Sequence, residues 1–170
     1  MLILTLSVPV AVAQEAEIGH WVIREKALVW EKVFDKAVTI EEIVRHLRQF
    51  SWIRELETRD STVYALADNF ILDYDRYQQP VFTDVFYRRA RWTYGIIIDR
   101  KQQKYRVRLS NFNFDLTNTG STHDPGRGPY EIMALKRDRA RFRTSEALAL
   151  RIFDAALTDA FDVSLSLDDW

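Results

Sequence analysis

The sequence predicts an α+β domain: a curved antiparallel sheet, built in the order strand, helix, strands, helix, with the helices packed on one face. Three observations predict it. Residues 84–99 and 104–116 alternate apolar and polar side chains and are joined by the polar link Arg100-Lys101-Gln102-Gln103, which reads as a long β-hairpin. Two segments carry apolar residues at helical spacing: Ile40, Ile43, Val44, Leu47 and Phe50 in one, and Leu150, Phe153, Leu157 and Phe161 in the other. Finally, three of the five glycines and two of the four prolines fall within residues 117–129, which marks one long loop.

Taken in order, residues 21–34 (WVIREKALVWEKVF) are rich in Val, Ile and Trp with charges interleaved, and read as one extended strand. Thr39-Ile40-Glu41-Glu42 is a capping box, so a helix starts there, and its apolar pattern is expected to run on through Trp52 and Ile53 toward Leu56. Residues 61–74 read as the next strand, which Pro80 separates from the hairpin. Pairing Asp99 with Lys104 sets Ile98 against Tyr105, Ile96 against Val107 and Tyr94 against Leu109, three apolar pairs on one face. Beyond Ser110-Asn111 the apolar positions change parity to Phe112, Phe114 and Leu116, which predicts a bulge that curves the sheet. Pro129 is placed to open a helical turn over 130–136, with strand as the alternative there. Residues 137–143 are ambiguous between strand and helix. After Thr144 comes an amphipathic helix, with a polar stripe of Arg151, Asp154, Thr158 and Asp162, and 163–167 could add a short edge strand.

Residues 1–13 (MLILTLSVPVAVA) form an uncharged apolar run ending in small residues, long enough for a signal peptide and too short to span a bilayer. The expected product is therefore exported, to the periplasm or beyond, as a single domain over 14–170 with no transmembrane segment after cleavage. With 47% hydrophobic and 13% aromatic residues, it has the material for a packed core. The net charge of -1 gives no global attraction to nucleic acid or anionic membranes. Cysteine is absent, which excludes disulfides, thiolate nucleophiles and cysteine metal sites.

Trp30-Glu31-Lys32-Val33-Phe34, the capped helix at Thr39, Trp92-Thr93-Tyr94-Gly95-Ile96-Ile97-Ile98 and the run from Lys104 to Phe112 together resemble an uncharacterised family. Its members are secreted Bacteroidetes domains of unknown function with a TBP-like fold. The resemblance covers most of residues 28–114. It implies export and a sheet-plus-helices architecture, and no catalytic residue, since the family has none assigned.

For chemistry, the three histidines show no metal-ligand spacing, and the chain has no G-x-S-x-G elbow, P-loop or dinucleotide fingerprint. Neither a cofactor nor a metal is expected. His46, beside Arg45 and off the apolar stripe, reads as exposed; His20 is uninformative. Asp73 with Asp75, on an expected strand, and Asp168 with Asp169 read as solvated carboxylates. The hairpin places Arg106 beside Ile97 and Arg108 beside Gly95, with Arg89 and Arg91 further along the same face. Arg137, Arg139, Arg141 and Arg143 would join them if extended. Such a face either pairs with neighbouring Asp and Glu or offers guanidinium forks to an anionic partner.

The reading that follows is an exported, noncatalytic binding or interaction domain whose ligand residues are Arg89, Arg91, Arg106 and Arg108. Its partner would be an anionic envelope component or another secreted protein, and not nucleic acid. Two alternatives stand beside it: an enzyme with a site in the 117–129 loop, using His123, Asp124, Arg127 and Glu131, and a carrier that holds an apolar ligand between the sheet and the last helix.

Overall fold

Residues 17–77, 85–117 and 126–163 are described by the computed structural model. The expected signal at 1–13, the tail strand beyond Val163, and both His123 and Asp124 lie outside the described residues. The first predicted strand is two: β1 (Trp21–Arg24) and β2 (Ala27–Phe34) form a hairpin. Glu25 and Lys26, at φ 50° and 67°, make the two-residue turn between them. Positive φ at both central positions matches the twist of the flanking strands, and tolerating it here takes the place of the usual Asn-Gly signal.

Helix α1 (Ile40–Arg48) starts as predicted: Thr39 Oγ1 accepts from the Glu42 amide, and the Glu42 carboxylate accepts from the Thr39 amide. It stops sooner than its apolar pattern suggests. Gln49 closes it, and Ile53–Arg59 is strand β3, paired with β4 (Thr62–Ile71). Trp52, Ile53 and Leu56 thus belong to the sheet side of the core. Short helices α2 (Tyr74–Tyr77) and α3 (Val85–Arg89) follow, so Asp73 lies beyond the strand and Arg89 sits on a helix rather than on the hairpin.

The long hairpin is β5 (Arg91–Lys101) and β6 (Lys104–Asp115). Its register is two residues from the predicted one: Lys101 faces Lys104, Ile98 faces Val107 and Ile96 faces Leu109. A two-residue turn with Gln102 at φ 54° replaces the four-residue link. Because the difference is even, each side chain keeps its predicted face. The predicted bulge is present at Asn111, φ 58°, where Thr93 pairs with Asn113 but Gly95 with Ser110.

Residues 127–129, read from sequence as loop, form β7 (Arg127–Pro129) against β6, followed by α4 (Glu131–Ala134). The segment 137–143 is neither strand nor helix. It turns at Arg139, φ 54°, and is closed by a bridge between Leu135 and Phe142. Helix α5 (Ala147–Phe161) completes the described chain.

The sheet order is β1-β2-β6-β5-β4-β3, with β7 also paired to β6. After β2 the chain crosses by way of α1 to the far edge and returns strand by strand; Arg100 Nε donates to Val38 O at 2.6 Å and ties the crossover to the end of β5. On one face Trp30, Trp92, Tyr94, Ile96, Ile98, Val107 and Leu109 are buried. Phe153 of α5 packs there against Trp92 (4.9 Å between ring centroids), Trp21 (5.6 Å) and Phe70 (6.0 Å). Arg151 of the predicted polar stripe is exposed, but the rest of it faces the sheet: Asp154 accepts from Trp30 Nε1, Thr158 from Lys32 and Asp162 from Lys36. The opposite sheet face is open, with Val33 and Tyr64 exposed. Among the described residues no helix is long and apolar enough to cross a membrane.

Candidate functional site

On the open sheet face, β5 and β6 place Arg106 opposite Asp99 and Arg108 opposite Ile97, two residues along β5 from the sequence-predicted neighbours. Arg106 Nη2 lies 2.9 Å from Asp99 Oδ2 and Arg108 Nη2 lies 3.4 Å from the same oxygen. Arg108 Nε is 3.4 Å from Glu31 Oε2, an ion pair without hydrogen-bond alignment, and Glu31 also holds Arg24 at 3.1 Å. The basic stripe is thereby a chain of alternating charges, which pairs Arg106 and Arg108 with carboxylates while the buried Arg108 Nε makes no hydrogen bond. Arg91 begins β5 opposite Asp115, and Arg89 stands apart on α3. Arg141 pairs with Asp138, and Arg143 donates to Leu135 O and Ile132 O, so these arginines do not extend the stripe.

The loop candidates separate. Arg127 pairs with Asp115 at 2.8 Å on the surface, whereas Glu131 is buried and accepts from the Leu28 amide at 3.3 Å. Thr117, through its hydroxyl and its amide, and then Arg127 hold the Asp115 carboxyl down to about 2. His123 and Asp124 lie outside the described residues, so their half of this candidate has no geometry to report.

A different set of residues converges between the sheet and α5. The end of α1, the turn that leads into β3, the end of β4, α2 and the last turns of α5 enclose a cleft of about 270 Å³. Its wall is aromatic. Phe50 stacks on Trp52 with centroids 4.8 Å apart, and Trp52 meets Phe70 edge-on at 5.0 Å. These rings meet because α1 stops at Arg48, so that Phe50 and Trp52 turn inward on the way into β3.

Polar groups stand around the wall. Asp73 Oδ1 accepts from the Arg76 amide at 3.3 Å and so starts α2, which lays Arg76 and Tyr77 over α5. Tyr77 OH donates to Asp159 Oδ2 at 2.8 Å, and Arg76 lies over the Tyr77 ring, 5.4 Å from its centroid. Burial first, then the bond to Asp159 and its charge, push the Tyr77 phenol up to about 12, so it is a standing donor at neutral pH.

His46 corrects the sequence reading most directly. It is not exposed: at 7% accessibility it lines this cleft, edge-on to Phe50 at 5.2 Å. Its Nε2 lies 2.8 Å from Ala160 O. A carbonyl only accepts, so Nε2 carries the hydrogen and Nδ1 is the nitrogen left over. The sequence signal for this site is dispersed, since its parts come from four elements and the turn before β3, and only the capping box fixes one of them in advance.

No family model matches the chain, and no curated protein matches it. Among solved structures, it is similar to a TBP-like protein from Parabacteroides distasonis ATCC 8503, with 12% identity, TM-score 0.46, and coverage of 83% of this chain and 94% of that one. It is also similar to a DUF4468 family protein from Bacteroides ovatus ATCC 8483, with 14% identity, TM-score 0.47, and 85% of each chain covered. Nothing about function passes from them to this chain.

Proposed function

We propose that this protein is an exported, noncatalytic binding domain and that its ligand seat is the aromatic cleft between the sheet and α5. The observation that carries this reading is the convergence of Phe50, Trp52 and Phe70 on a space of about 270 Å³ with His46, Tyr77 and Asp159 beside it. An apolar concavity with a few convergent polar groups is the usual form of a small-molecule site, and this volume suits one ring and a short chain. The cleft is a better-built seat than the arginine face, because Arg106 and Arg108 already meet Asp99 and Glu31. Binding rather than turnover fits the way its polar groups are engaged: His46 Nε2 is held by a backbone carbonyl and Tyr77 OH by a carboxylate. Export rests on the apolar run at 1–13.

Calorimetric titration with 3-phenylpropan-1-ol, read alongside the NMR signal of the Trp52 indole, tests the seat. Saturable heat with a shifted Trp52 signal, both lost when Ala160→Phe fills the cleft, is the expected result. No heat from any ligand carrying a phenyl ring would sink the reading. Fractionation of cells making the full chain tests export, for which cytosolic recovery of uncleaved protein is the contrary outcome.

A further inference from the structure

The inference deepens the cleft reading and rests on it: we propose that the cleft is selective for a protonated primary amine carried on an apolar body, with the ammonium held by Asp159 and His46. The unused polar atoms decide this. Tyr77 OH and Arg76 both approach Asp159 through Oδ2, at 2.8 and 3.9 Å, and among the described residues no bond reaches Oδ1. His46 is more than nine-tenths buried and lines the cleft; its Nε2 is spent on Ala160 O, and Nδ1 meets no partner among the described residues. A carboxylate oxygen only accepts, and so does the Nδ1 lone pair of a neutral imidazole whose hydrogen is on Nε2. The open valences are therefore both acceptors, and the complementary ligand group is a donor with several hydrogens.

Charge narrows the choice further. Among the described residues the charged groups at the cleft are Asp73, Asp159 and Arg76, two carboxylates against one guanidinium. Arg76 lies over the Tyr77 ring and near Asp159, so its charge is already answered. An ammonium would add a charge-assisted bond where a hydroxyl adds only a neutral one, and the faces of Trp52 and Phe50 favour a cation over a carboxylate. An acid of the same shape would bring its negative charge against Asp159 and two acceptors with no hydrogen to share.

The test compares three ligands of one shape, 3-phenylpropylamine, 3-phenylpropan-1-ol and 3-phenylpropionate, by calorimetry on the folded chain at mildly alkaline pH. The amine is expected to bind about tenfold or more tightly than the alcohol, as a charge-assisted bond predicts, and the acid most weakly. In Asp159→Asn, with near-ultraviolet dichroism confirming the native fold, the amine should fall to about the level of the alcohol. Equal binding of amine and alcohol to the wild-type chain would overturn the amine proposal while leaving the cleft as a seat. Binding of none of the three would overturn the seat itself. The wild-type ranking decides the matter even if the variant fails to fold.

Discussion

Asp154 Oδ1 accepts from the Trp30 indole at 2.7 Å, from the His20 amide at 3.2 Å and from His20 Nδ1 at 2.8 Å. One oxygen thus satisfies donors from β2 and from the segment before β1, and it fixes the edge hairpin to α5. Gly19, at φ 61°, permits the approach, since a Cβ there would lie 2.4 Å from Asp154 Oδ2. Asp154→Ala strands the indole and amide donors and should cost about 1–3 kcal/mol in urea denaturation. Tyr77 makes a second prediction, on pH. Its folded value of about 12 lies above the ordinary phenol value near 10, so the fold favours the neutral form. That contribution to stability is complete below about pH 10 and is lost as pH rises through about 12. The tyrosinate absorbance difference between wild type and Tyr77→Phe should show the late titration. Asp159→Asn should lower it without restoring the ordinary value, because burial is the larger cause. At this scale the sequence was least legible. His46 looks exposed by its place beside Arg45, yet it is buried with Ile43 and Leu47, against the Phe50 ring and the carbonyl of Ala160, which is distant in sequence.

Elements announced themselves where local chemistry was strong. The reciprocal bonds of Thr39 and Glu42 start α1 where the capping box said, and the parity change after Ser110 became the Asn111 bulge. Where turns lacked their usual residues, the pattern misled. Glu25-Lys26 holds positive φ with neither Gly nor Asn, so two strands read as one, and Gln102-Gln103 hid a two-residue turn inside a four-residue link. The end of α1 was obscured because Trp52, Ile53 and Leu56 continue a helical spacing while serving a turn and the strand after it. Gln102 gives this scale its prediction. Left-handed backbone strains any residue with a Cβ, and glycine removes that strain at the first position of such a turn. Gln102→Gly should stabilise the protein by a few tenths to about 1 kcal/mol, seen as a higher urea midpoint with an unchanged slope.

For the molecule as a whole, the aromatic core concentrates on Phe153, which touches rings from β1, β4, β5, β6 and Tyr130. Its removal opens a cavity that rigid strands cannot close. Phe153→Ala should cost about 3–5 kcal/mol, a large share of the roughly 5–15 kcal/mol a domain has in all, and thermal denaturation should show a loosened or unfolded chain. The α+β class and the one-sided placement of helices were legible from alternation and helical spacing alone; the cleft was not, because it exists only after four elements and the turn before β3 have met. Closure of the sheet runs through the β2–β6 pairing, in which Val29 lies against Ser110. A half-made chain therefore holds its first long strand by the β1–β2 hairpin alone, without the inner neighbour that joins it to the rest of the sheet. Assembly must wait for the downstream hairpin, and the refolding rate should fall in the slow range set by distant pairings rather than the fast range of neighbouring ones.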